Sequence, residues 1–127
     1  MLAIDDQAAI LASVIEEYPL YTPQAGWTEQ DPEDWWQATA KCLRQVTRQL
    51  AGRPVAAVGL SGQMHGMVAL DRNDKVVRRA ILWNDQRTGR QCEEITAAAG
   101  GLDGLLSYTN NQMLTGFTGG KILWMKE

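Results

Sequence analysis

The run Val55-Ala56-Ala57-Val58-Gly59-Leu60 contains no polar residue. Gly52 and Pro54 stand before it, and the stretch Ser61-Gly62-Gln63-Met64-His65-Gly66 follows. A short apolar run between such breakers has the pattern of a strand covered on both faces, which belongs in a sheet flanked by helices. This favours an α/β architecture over a helical bundle or a sandwich.

The neighbouring segments point the same way. Residues 1–22 alternate loosely about a polar break, which predicts a hairpin whose second strand is long and half buried. Residues 22–32 read as a loop punctuated by Pro23 and Gly26. A helix follows: Asp31 suits its cap, Pro32 its first position, and Glu33 and Asp34 its positive end. Its expected apolar side is Trp36, Ala40, Leu43, Val46 and Leu50, and Gly52 and Pro54 end it. Beyond the histidine loop, residues 67–71 and 76–83 form a second expected hairpin, joined at Arg72-Asn73-Asp74-Lys75. Residues 84–101 read as a helix capped by Asp85 and stopped at Gly100-Gly101. Residues 102–120 are rich in glycine and polar groups and read mostly as loop; another helix begins at Lys121. The expected fold class is α/β, a mixed sheet with flanking helices.

Bulk properties narrow the function. The chain has 127 residues and a net charge of −3, the size of one domain with a modest core. The weakly acidic balance gives no electrostatic reason for a nucleic acid or anionic membrane partner. The N-terminal apolar run, residues 8–15, is short and flanked by Asp5-Asp6 and Glu16-Glu17, unlike a signal peptide or a membrane span. A cytoplasmic location is the default expectation. Cys42 and Cys92 are far apart and lack a CxxC partner, so they read as ordinary thiols, and no zinc site is expected.

His65 is the chain's one histidine and lies on a loop leaving an expected strand end, where ligands bind in α/β sheets. Gly62 and Gly66 are expected to make the turn and to allow close approach. Gln63 and His65 offer donors and acceptors for hydroxyl groups, and Met64 a soft apolar contact. The bland alternative is a loop histidine bonded to a nearby carbonyl. At the next strand end, Trp83 is suited to stack on a sugar face and Asp85 to accept hydroxyl protons, with Arg87 tying Asp85 in place. The competing roles are core packing for Trp83 and capping for Asp85. Packing is the expected role of Trp27, Trp35 and Trp36. Thr118-Gly119-Gly120-Lys121 lacks the spacing of a phosphate loop.

Four segments, AGWTEQDPEDWWQA, VGLSGQMHGMVALD, AILWNDQRT and TGFTGGKILWMKE, occur in an order and spacing that resembles the FGGY sugar kinases. The last carries a family signature in Gly116, Thr118, Lys121, Ile122, Trp124, Met125 and Glu127. Within the family, SGQMHG is similar to the xylulose-phosphorylating members; glycerol and gluconate kinases carry other residues there. The resemblance implies an actin-like, ribonuclease H-like ATPase fold and transfer of the ATP γ-phosphate to D-xylulose, with Mg²⁺. It implies that Met64 and His65 contact the sugar and, less directly, that Trp83 lines its pocket. The family's phosphate loop, catalytic aspartate and adenosine-binding glycines match nothing in these residues, so no catalytic, nucleotide-binding or metal-binding residue is assigned. The chain, residues 1–127, is therefore expected to be part of the N-terminal domain, cut at both ends and without the C-terminal domain. Sugar and ATP are the expected partners of the intact protein, with a homodimer left open. The rival readings are a family kinase for ribulose, fuculose or gluconate, and a non-catalytic sugar-binding relic. A hydrolase built on His65 and Asp85 lacks any accompanying nucleophile motif.

Overall fold

The computed structural model describes residues 1–127. They divide into two compact units, Met1–Pro19 with Asp31–Ser61, and Leu20–Gln30 with Gly62–Glu127.

In the first unit, β1 (Leu2–Ile4) and β2 (Ile10–Ser13) pair antiparallel, with Leu2 opposite Ser13 and a register shift after Ala3. The Asp5 carboxylate shapes the turn by accepting from the N–H groups of Gln7 and Ala9. The hairpin is present, but its second strand is short: pairing ends where Val14 meets Met1, and Ile15 is largely exposed.

Helix α1 (Pro32–Leu50) has the expected caps. The Asp31 carboxylate accepts from Glu33 N at 2.9 Å, and Ala51 in left-handed conformation closes the other end. Its buried face is Ala38, Cys42, Val46 and Leu50, one side chain per turn. Trp36 and Leu43 point to solvent, and Ala40 is only partly covered. Val46 and Leu50 are buried as expected, whereas Ala38 and Cys42 stand in for Trp36, Ala40 and Leu43, since burial follows the i, i+4 row. Cys42, Val46 and Leu50 of that row pack with Ala12 and Val14 as the unit's core, supported by Ala3 and Leu11.

Residues 55–60 are not a strand. They pair with no neighbouring backbone, and Val58 and Leu60 are 76% and 97% exposed. Side-chain pattern supplies the propensity for a covered strand, but a strand exists only where another supplies its hydrogen bonds.

In the second unit, β3 (Glu29–Gln30) pairs antiparallel with β4 (Ala80–Ile81). Single bridges extend the array: Tyr21 with Glu29, Met67 with Ile81, and Leu70 with Val76. The expected second hairpin is thus present, turned by the Asp71 carboxylate accepting from Asn73 N and Lys75 N. β3 falls where only loop was expected. Ala80, Ile81 and Leu82 form the most buried apolar stretch of the chain.

Three helices complete this unit: α2 (Gly89–Ala98), α3 (Gly101–Thr109) and α4 (Thr118–Lys126). Thr88, not Asp85, stands at the start of α2. Helix α3 replaces an expected loop. Gly100 and Gly101, both with positive φ, stop one helix and start the next without a linker. A Cβ at Gly104 would lie 1.9 Å from the Ala99 carbonyl oxygen, so this glycine permits close docking of α3 onto the end of α2.

Leu50→Ala is expected to cost about 2–3 kcal/mol, as for a buried aliphatic truncated in a small core. Val58→Thr is expected to change stability by less than about 0.5 kcal/mol, as for an exposed position. Urea unfolding followed by circular dichroism checks both values.

Candidate functional site

The histidine loop ends where Met67 exchanges backbone hydrogen bonds with Ile81, at 2.9 and 3.1 Å. The sharp turn lies one residue earlier than expected from the glycines. His65 itself takes φ 64°, whereas neither Gly62 nor Gly66 has positive φ. A side chain rarely accepts the left-handed region, so something must hold His65 there. Two donors meet its carbonyl oxygen: Lys121 Nζ at 2.7 Å and Thr118 Oγ1 at 3.2 Å. The imidazole is exposed and rests against the Phe117 ring, with centroids 4.8 Å apart. It makes no hydrogen bond within the chain, contrary to the bland alternative of a carbonyl-bonded imidazole. Met64 is 73% exposed, and Gln63 Nε2 donates to Gln30 Oε1 at 3.2 Å. Beside the loop, an open hollow of about 450 Å³ lies between residues 66–69 and the Thr118, Ile122 and Met125 side of α4.

Lys121 was not singled out chemically by the sequence, yet it is wholly buried. Its ammonium donates to the carbonyls of both His65 and Gly116, the latter at 2.6 Å. Burial pushes its pKa down; Asp85 opposes the shift and Arg87 adds to it. The only sequence signal for this lysine is its place in the signature, because lysines on helices ordinarily face water.

Trp83 is 55% exposed, so it is not the core residue of the competing reading. Its backbone is tightly abutted: a Cβ at Gly116 would lie 2.6 Å from the Trp83 carbonyl oxygen.

Asp85 is not available to a ligand. It is fully buried and accepts from Thr28 N at 2.7 Å, Arg87 N at 2.9 Å, and Arg87 Nε and Nη2 at 2.9 and 2.8 Å. The expectation that Arg87 ties Asp85 in place is met, whereas hydroxyl binding by Asp85 is not, since its oxygens are already engaged. Arg87 also pairs with Glu29 at 2.8 Å and lies 3.7 Å over the Trp27 ring centroid. Trp124 meets Trp27 edge-on, at 5.6 Å, and Arg78 bonds Glu29 at 2.6 Å. The role of Trp27 is therefore packing. Burial raises the Asp85 pKa, but the Arg87 and Thr28 hydrogen bonds and the Arg87 charge outweigh it, leaving the carboxyl below its ordinary value.

Cys42 and Cys92 are free and buried. No helix is long and apolar enough to cross a membrane.

Small antiparallel strand pairs with packed helices describe an α/β domain. Residues 1–127 match the profile of the FGGY family of carbohydrate kinases, N-terminal domain, and the chain belongs to that family. Among curated relatives, it is 41% identical to a xylulose kinase of Bacillus subtilis (strain 168), over 99% of this chain and 25% of that protein. Among solved structures, a "xyloylose kinase" from Brucella ovis superposes with a TM-score of 0.86 at 33% identity, over 98% of this chain and 25% of that one. A gluconate kinase from Lactobacillus acidophilus gives 0.82 at 26% identity, over 99% of this chain and 25% of that one. The chain thus spans about a quarter of the length of the relatives it matches, and its fold is part of the actin-like ATPase fold of FGGY kinases.

Because the folded-state pKa of Asp85 lies below that of the unfolded chain, its contribution to stability is full above pH ~4 and is lost as pH falls through the folded value. Asp85→Asn is expected to lower stability at pH 7 by about 3 kcal/mol, since buried Arg87 loses a charged partner. It is also expected to flatten the acid limb of stability below pH ~4. Denaturant titrations across pH 2–7 check the expectation.

Proposed function

We propose that this chain forms one wall of the sugar site in a kinase that transfers the ATP γ-phosphate to D-xylulose, giving D-xylulose 5-phosphate. The observation that carries the reading is the exposed, unbonded imidazole of His65 beside exposed Met64, on a loop held from below by a buried ammonium. Support for the sugar comes from the 41% identity with the Bacillus subtilis xylulose kinase. In this reading, His65 bonds sugar hydroxyls and Met64 packs against the carbon skeleton. Trp83 lines the pocket from the adjoining strand end.

Phosphoryl transfer needs the accepting hydroxyl held in line, its proton taken up, and the phosphate charge neutralised. The residues of this chain supply the first of these needs. They do not fit the others: Asp85 is saturated by Arg87 and Thr28, and no cluster of three or more His, Cys, Asp or Glu is gathered for a metal. ATP, Mg²⁺ and the catalytic carboxylate are accordingly assigned to the remaining three quarters of the kinase. Such an enzyme would work in the cytoplasm, where Cys42 and Cys92 stay reduced. The gluconate kinase likeness keeps a second sugar in view, since its backbone superposes nearly as well.

The test uses the full-length kinase carrying this segment, in an ADP-release assay with D-xylulose, D-ribulose, L-fuculose and D-gluconate. D-xylulose is expected to have the highest kcat/KM; preference for another sugar would overturn the substrate assignment. His65→Ala is expected to raise KM for the sugar about tenfold, the loss of one good hydrogen bond, while KM for ATP stays put. An equal rise in both constants would remove His65 from the sugar site. The 127 residues alone are expected to release ADP at background rate.

A further inference from the structure

We infer that Lys121 is a positioning residue for sugar binding: its buried ammonium holds His65 in the left-handed turn that presents the imidazole, and ties that loop to the segment braced against Trp83. The inference rests on the reading of His65 as a sugar contact.

Three observations meet at this lysine. His65 carries a positive φ of 64° although it is not glycine, so its backbone needs an external hold. The His65 carbonyl receives Lys121 Nζ at 2.7 Å, the shorter of its two contacts. The same Nζ donates to the Gly116 carbonyl at 2.6 Å, and Gly116 is the residue whose missing Cβ lets the segment press on the Trp83 carbonyl. One charge therefore joins the backbone of His65 to the segment that abuts Trp83. Phe117, between Gly116 and α4, packs its ring on the imidazole. Movement of the 116–118 segment would thus reach the His65 ring as well as its carbonyl.

Burying an ammonium completely is costly, and a methionine of similar length would fill the space without that cost. What methionine lacks is the pair of donors. Charge-assisted bonds to two carbonyls fix direction as well as distance, which a ligand-facing loop requires and general packing does not.

The test is kinetic, in the full-length kinase. Lys121→Met is expected to raise KM for D-xylulose about tenfold, with kcat and KM for ATP changed less than about twofold. In a His65→Ala background the same substitution is expected to add less than about twofold, because its effect passes through the residue already removed. A normal sugar KM in Lys121→Met overturns the inference. So does a parallel loss of kcat and ATP affinity, or a full additional effect in the double variant. If Lys121→Met does not fold, Lys121→Gln carries the test, since it keeps a neutral donor but not the charged reach to the carbonyls of both His65 and Gly116. A raised sugar KM that is absent in the His65→Ala background supports the inference; an unchanged sugar KM overturns it. A silent His65→Ala overturns the sugar-contact reading and this inference together, whereas a raised KM in His65→Ala with silent Lys121→Met overturns this inference alone.

Discussion

Arg87 organises the second unit. Its guanidinium is almost fully enclosed, bonded to the carboxylates of Asp85 and Glu29 and stacked on the indole of Trp27. The planar fork suits this position: its Nε and Nη2 meet Asp85, Nη2 also meets Glu29, and the face meets an aromatic ring. Asp85 in turn caps the backbone at Thr28, and Glu29 belongs to β3. A single side chain thereby joins the strand that pairs with β4 to the turn leading into α2. Burial of so much charge is affordable because every carboxylate oxygen of Asp85 is bonded, and its main return is one defined arrangement of strands and turn.

On that frame, three exposed side chains stand on backbones that are held. Met64, His65 and Trp83 expose their side chains, but the carbonyls of His65 and Trp83 are gripped by Lys121 and abutted by Gly116. The division is the one that the proposed sugar site requires. Free side-chain donors and acceptors are wanted at the surface, and rigidity beneath them limits the ordering cost of binding.

Much of this was legible in the residues. The caps of α1, the Asp71 turn, the tie between Arg87 and Asp85, and the exposed placement of Met64, His65 and Trp83 follow from local chemistry or from the family pattern. The misreadings share a cause. Helix α3 was hidden by Gly100-Gly101, glycines that look like loop but act as a hinge between two packed helices. Strand β3 was hidden in a polar stretch, since Glu29 is buried by its pairing with Arg78 and Arg87 rather than by any apolar character. Residues 55–60 failed in the opposite sense, being apolar yet unpaired.

By itself the sequence determined whatever depends on near neighbours along the chain: caps, turns, helix periodicity and the family signature. Family membership follows from these because a signature is a linear pattern. Tertiary structure alone decided which polar groups are interior and what the histidine turn rests on. Asp85 reads as ligand-facing until Thr28 is brought to it in space, and nothing along the chain assigns Lys121 its carbonyl partners at His65 and Gly116. A charged residue is buried only where distant groups satisfy it, and spacing along the chain does not encode those distances.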